Sequence, residues 1–123
     1  MNLIKETEND DPVLKFSPLA LNDIKETWHY FSEQDETAAE RLIRAILEKC
    51  EFLSRNPKIG RERNDLIVNL RLFPFKKYNI FYFPTENGIE IYRVLHGSRD
   101  VIQIFDDVID KTNKNYETTD KHR

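Results

Sequence analysis

Between Ala39 and Leu53 an apolar stripe runs through Ala39, Leu42, Ile43, Ile46, Leu47, Cys50 and Leu53, the three-and-four spacing of one helical face. A helix with so continuous a stripe must lay it against another apolar surface. The chain that follows changes period. Leu66, Val68, Leu70 and Leu72 alternate with Ile67, Asn69, Arg71 and Phe73, which predicts a strand. Lys77 to Phe83 predicts a second, aromatic-rich strand, Thr85-Glu86-Asn87-Gly88 carries an Asn-Gly hairpin signal, and Ile89 to His96 predicts the returning strand. The only surface these elements offer to the helical stripe is a face of that sheet.

Upstream, Val13-Leu14-Lys15-Phe16 predicts a short opening strand, and Ser17 with Pro18 is an N-cap followed by proline at the first helical position, where its missing N–H costs nothing. Ala20, Ile24, Thr27, Trp28 and Phe31 then form one helical face reaching about Ser32, with Trp28 read as core. Thr37-Ala38-Ala39-Glu40 is a capping box for the second helix, and Asn56-Pro57-Lys58-Ile59-Gly60 ends it. Asp100 caps a last short helix with Val101, Ile104, Phe105, Val108 and Ile109 on one face. The order is β-α-α-β-β-β plus a short C-terminal helix. This predicts an α+β domain over residues 13–111, a two-helix hairpin packed on a mostly antiparallel sheet, with polar, mobile tails at 1–12 and 112–123. A chain of 123 residues has room for one such domain.

Several function classes are excluded or disfavoured. No apolar run approaches the roughly 20 residues that cross a bilayer, and Met1 to Glu6 contains no apolar signal segment. A single cysteine, Cys50, makes neither an internal disulfide nor a cysteine metal cage, and it sits on the helical stripe as a small core residue. A reducing cytoplasm is the expected compartment. His29 and His122 have no companions at metal-ligand spacing, and three glycines form no phosphate loop, so no metal and no ATP or NAD cofactor is expected. The net charge is -3, but residues 55–99 carry nine bases against four acids. That block suits an acidic partner, nucleic acid or acidic peptide, as well as it suits ordinary solvated charge.

The segment Ile91-Tyr92-Arg93-Val94-Leu95-His96-Gly97-Ser98-Arg99-Asp100 resembles the C-terminal signature of the ParE-like branch of the RelE/ParE toxin superfamily, the toxin halves of type II toxin–antitoxin, or plasmid stabilisation, systems. The likeness runs from about Val13 to Phe105. It includes Ala20-x-x-Asp23-Ile24 in the first helix, Asn56-Pro57-x-x-Gly60 after the second, and Leu70-Arg71-x-Phe73 and Tyr78-x-Ile80-x-Tyr82 in the strands. The resemblance implies a helical hairpin on a β-sheet, in agreement with the periodicity. It also implies one of two activities. RelE-like members cut messenger RNA on the ribosome, whereas ParE-like members bind and inhibit DNA gyrase. Attack by a 2′-hydroxyl needs proton transfer and cations for the developing charge. The positions where RelE-like members carry strand lysines, a next-strand arginine and a C-terminal tyrosine hold Ile67, Asn69, Asn79 and Phe105 here; only the C-terminal arginine has a match, Arg99. The expectation is therefore a non-enzymatic, cytoplasmic gyrase inhibitor with no catalytic residues. Direct nucleic-acid binding is not expected, and neutralisation comes through a cognate antitoxin in a hetero-oligomer. The alternatives are a ribosome-dependent nuclease with a rearranged site built from Arg71, Arg93, His96 and Arg99, and an inactive relative that only binds antitoxin.

The partner-binding candidates, for antitoxin or target, are Arg71, Lys76, Lys77, Arg93, His96 and Arg99. Arg71 and Arg93 lie within apolar strands, where a guanidinium either grips a partner's carboxylates or closes an internal salt bridge. His96 either exchanges protons or hydrogen-bonds the Gly97 turn. Arg99 and Asp100 either fix the last helix or face a partner. Trp28, Tyr30 and Phe31 offer an aromatic patch as the alternative to core packing.

Overall fold

The computed structural model describes residues 11–106. In chain order the elements are β1 (Val13–Phe16), α1 (Pro18–Ser32), α2 (Glu36–Arg55), β2 (Arg61–Glu62), β3 (Arg71–Phe75), β4 (Tyr78–Thr85) and β5 (Gly88–His96), and residues 101–106 are helical. The sheet order is β1-β5-β4-β3-β2. β1 runs parallel to β5 and every other pairing is antiparallel. The expected α+β architecture, a helical hairpin on a mostly antiparallel sheet, is the one the chain adopts. The expected tails and the positions Val108 and Ile109 fall outside the described residues, apart from Asp11 and Pro12.

Both faces of the sheet are covered. On one, Ala20 of α1 and Ile46, Cys50 and Leu53 of α2 pack on Tyr78, Ile80, Tyr82, Ile89, Ile91 and Val94. On the other, Leu66, Leu70, Leu72 and Phe105 pack on Phe81 and Leu95. The alternation Leu66-x-Val68-x-Leu70 is thus not the start of a strand. Strand pairing begins at Arg71, and residues 64–69 fold into turns. The Asn64 side chain accepts the Asn69 N–H at 2.7 Å, and Asn69 adopts a left-handed φ of 73°. Leu66 and Leu70 are delivered to the second sheet face while Val68 stays 70% exposed. The two-residue β2 gives no periodic signal in sequence.

Three local expectations are also corrected. The α2 cap is Asp35, not the Thr37 box: the Asp35 carboxylate accepts the Ala38 N–H at 3.1 Å, two residues before the expected start. Leu47 is 40% exposed, because the buried stripe of α2 runs through Ala39, Ile46, Cys50 and Leu53. Trp28 is half-buried and joins neither packed cluster. The hairpin after β4 forms where expected, but its two loop residues are Glu86 and Asn87, and Gly88 opens β5. A Cβ on Gly88 would lie 1.8 Å from the Val13 carbonyl oxygen, so this glycine is there for the close approach of β1, its parallel neighbour.

β5 carries a bulge. Phe81 pairs with Arg93 but Tyr82 pairs with Ile91, leaving Tyr92 as an extra residue. The extra residue shifts the strand's phase, so Ile89, Ile91 and Val94 all face the helical hairpin. The Ser17 hydroxyl, which caps α1 by accepting the Ala20 N–H at 3.0 Å, also donates to the bulged Tyr92 carbonyl at 2.7 Å. The start of α1 is thereby fixed to the irregular point of the sheet.

Candidate functional site

The bulge sets up what lies beyond it. Asp23, one turn into α1 and 6% exposed, accepts Arg93 Nε at 2.8 Å, Arg93 Nη2 at 2.9 Å and the Val94 N–H at 2.9 Å. Both carboxylate oxygens are engaged, and their hydrogen bonds hold the Arg93 guanidinium above its ordinary pKa against the opposing effect of burial. This pair docks the middle of α1 onto the end of β5 and leaves a cleft between them of about 460 Å³. Glu26, Tyr30 and Phe31 line the helical wall; Lys77, Tyr78, Val94, His96, Ser98 and Arg99 line the sheet wall.

Within the cleft, His96 lies edge-on to Tyr78, ring centroids 5.3 Å apart. The Ser98 N–H donates to His96 Nδ1 at 3.0 Å and the Ser98 hydroxyl lies 2.8 Å from the same atom. A backbone N–H can only donate, so Nδ1 is the acceptor and the neutral ring carries its proton on Nε2. That Nε2–H has no partner among the described residues. Burial pushes the Tyr78 phenol up, with Thr27 opposing, so the phenol is a neutral donor near pH 7. The hairpin tip Lys76-Lys77 closes the cleft at one end: the Gly97 N–H donates to the Lys77 carbonyl at 2.8 Å.

The six candidate residues separate into two groups. Arg71 and Arg93 are held internally. Arg71 donates to the carbonyls of Lys58, at 3.1 Å, and Gly60, and pairs with Glu62 at 3.3 Å. It ties the turn after α2 to β3, and its side chain is only 17% exposed. Arg93 is occupied by Asp23. Both arginines make the internal contacts that were one of the alternatives the sequence left open. Lys77, His96 and Arg99 instead converge on the cleft, and Lys76 stands beside it at the hairpin tip, its ammonium 5.5 Å from the Phe75 ring centre. Lys77 and Arg99 form no ion pair among the described residues. Sequence reasoning missed Asp23 and Glu26 as members of the site. The signal for Asp23 was present: it follows Ala20 by three on an apolar helical face, a position where a carboxylate needs a buried cation. Among the described residues no cluster of three metal-ligating side chains occurs, and no helix is long and apolar enough to cross a membrane.

This is the fold of the RelE/ParE-type toxins, a helical hairpin on a five-stranded sheet with a short C-terminal helix. A family model described as "ParE toxin of type II toxin-antitoxin system, parDE" matches residues 14–101, and the chain belongs to that family. Among solved structures, one titled "Chromosomal ParDE TA system from P. aeruginosa" has a similar fold. Its TM-score is 0.60 at 18% identity, over 71% of this chain and 97% of that one. No curated protein matches the chain.

Proposed function

We propose that the protein acts as a ParE-like toxin that inhibits DNA gyrase by binding it, without catalysis, and is neutralised by a cognate antitoxin. The observation that carries this reading is the family match across residues 14–101. The arrangement of the residues a nuclease would need supports it. Arg71 and Arg93, two of the four side chains available to a rearranged RNA-cutting site, are bound to internal acceptors. Asn79, at the position of a RelE-like arginine, supplies no charge. Phe105, at the position of a RelE-like tyrosine, is 2% exposed and packs its ring 5.0 Å from Phe81 and 5.8 Å from Tyr92. It serves the second core and offers no proton. An antitoxin of the usual kind folds a flexible acidic or amphipathic segment onto its toxin. The cationic block over residues 55–99 suits such a segment electrostatically.

The test is induction in a bacterial host, followed by two assays of the purified protein: supercoiling by gyrase and translation of a defined message on ribosomes. Growth arrest with loss of supercoiling and an intact message is expected. Codon-specific breaks in the message at catalytic protein levels would overturn the reading.

A further inference from the structure

Three unpaired donors meet at one place, although other cations such as Lys15, Lys25, Arg41 and Arg55 also form no ion pair among the described residues. Arg63 is spent on Asp65, Arg71 on the turn after α2, Arg93 on Asp23, and Arg44 lies near Glu40. Lys77, Arg99 and the His96 Nε2–H have no such partners among the described residues, and all three side chains line one cleft. Between the polar groups its walls carry aromatic and apolar side chains, Tyr30, Phe31, Tyr78 and Val94. The hairpin that presents Lys77 holds Lys76 at φ 55°, a backbone state that favours glycine.

We infer that this cleft is the anchor point for the antitoxin, and that it takes an apolar or aromatic side chain with an adjacent carboxylate from an acidic segment. The inference rests on the antitoxin reading above. The volume of about 460 Å³ suits one or two side chains. The apolar side chain would lie against Tyr30, Phe31 and Val94. The carboxylate would accept from Lys77, Arg99 and His96 Nε2–H at the rim. Glu26, on the helical wall and in contact with Asn22 at 3.2 Å, repels an extended polyanion. A single carboxylate placed on the sheet side avoids it. Three donors beside an acid and an aromatic wall favour peptide over nucleic acid, whose binding needs a long run of phosphate contacts.

The probe is the polypeptide encoded by the reading frame adjoining this gene, co-expressed with the full chain. Benzoylphenylalanine replaces Tyr30, which is 64% exposed, or as a control Leu21, which is 55% exposed and lies half a turn around α1. Photocrosslinking from position 30 but not from 21, to a stretch holding Asp or Glu beside an apolar residue, is expected. Lys77→Gln, Arg99→Gln and His96→Asn should each weaken the complex roughly tenfold or more, with Arg44→Gln unchanged. His96→Asn retains an acceptor for the Ser98 N–H while removing the Nε2 donor, so unchanged melting is expected with it. A complex that forms with no crosslink from position 30, or with undiminished affinity in folded cleft variants, overturns the inference and leaves the antitoxin reading standing. Absence of any complex overturns both. Displacement of the probe by duplex DNA at similar concentration overturns the inference in favour of a nucleic-acid site.

Discussion

Asp23 and Arg93 are 70 residues apart in the chain and joined by two hydrogen bonds of 2.8 and 2.9 Å in the fold. Their side chains are 6% and 12% exposed. One carboxylate thereby connects α1 to the bulged strand, at the border of the cleft beside it. Because the Val94 N–H also relies on Asp23, removing the acid strands both a buried cation and a buried amide. Asp23→Ala should cost about 3–5 kcal/mol. Asp23→Ala/Arg93→Ala should lose clearly less than the sum of its two single variants, since the double variant leaves no buried charge alone. Urea unfolding of all four proteins measures this; simple additivity would show that the pair is not coupled.

The same pair marks how far the sequence could be read. Both helices, the hairpin strands and the sheet face they share follow from periodicity, because burial on one side leaves a repeat in the chain. Ser17-Pro18 was legible because cap chemistry is local. The segment from Leu66 to Leu70 misled, since apolar residues folded in turns under a sheet can alternate by accident; Asn64 and Asn69 were the turn signals that outweighed the alternation. The cleft was half legible. Lys77, His96 and Arg99 stood out by residue type. Which arginines were free and which were spent depended on contacts such as Asp23 to Arg93 and Gly60 to Arg71, whose sequence separation leaves no pattern.

Neighbouring residues on α2 give a sharp test of the core. Ile46 is fully buried, whereas Leu47 is 40% exposed. Ile46→Ala should cost about 2–5 kcal/mol and Leu47→Ala under about 1.5 kcal/mol. Chemical denaturation of the two variants checks the difference, and equal losses would contradict the assigned face of α2.

Gly88→Ala should displace β1. Its Cβ would meet the Val13 oxygen at 1.8 Å and the Val13 nitrogen at 2.6 Å, both backbone atoms that no rotamer change can move. The expected loss is about 1–3 kcal/mol, the range for overpacking, or more. Amide exchange should show protection falling first at Val13 and Ser17, whose N–H groups bond to Asn87 and Ile91. Retained protection there would mean that β1 accommodates a side chain at this position.

Tyr82→Phe should loosen the turn that follows α2. The phenol donates to the Pro57 carbonyl at 2.7 Å and accepts the Gly60 N–H at 2.9 Å, so the substitution leaves two backbone groups without their partner. A loss of about 1–3 kcal/mol is expected, with faster proteolysis between Asn56 and Glu62. A variant as stable and as protease-resistant as the parent would show that Arg71 alone holds the turn.

Cys50 ties stability to alkaline pH. The thiol is fully buried on the apolar stripe of α2, and burial pushes its pKa from 9.0 up to about 12. The neutral form is favoured in the folded state, so the stabilisation is fully present below pH 9 and is lost as pH rises towards 12. In that window each pH unit removes up to about 1.4 kcal/mol through this group. Tyr78, Tyr82 and Tyr92 shift in the same direction through burial, so the comparison must be with Cys50→Ala, which retains all three phenols. The urea midpoint of the parent should fall more steeply than that of Cys50→Ala between pH 9 and 11. At pH 8 a thiol reagent should label the folded parent no faster than the protein opens, with the labelling rate rising in urea alongside unfolding. Rapid labelling of the folded chain, or parallel pH profiles for the two proteins, would place Cys50 in contact with solvent and refute its assignment to the core.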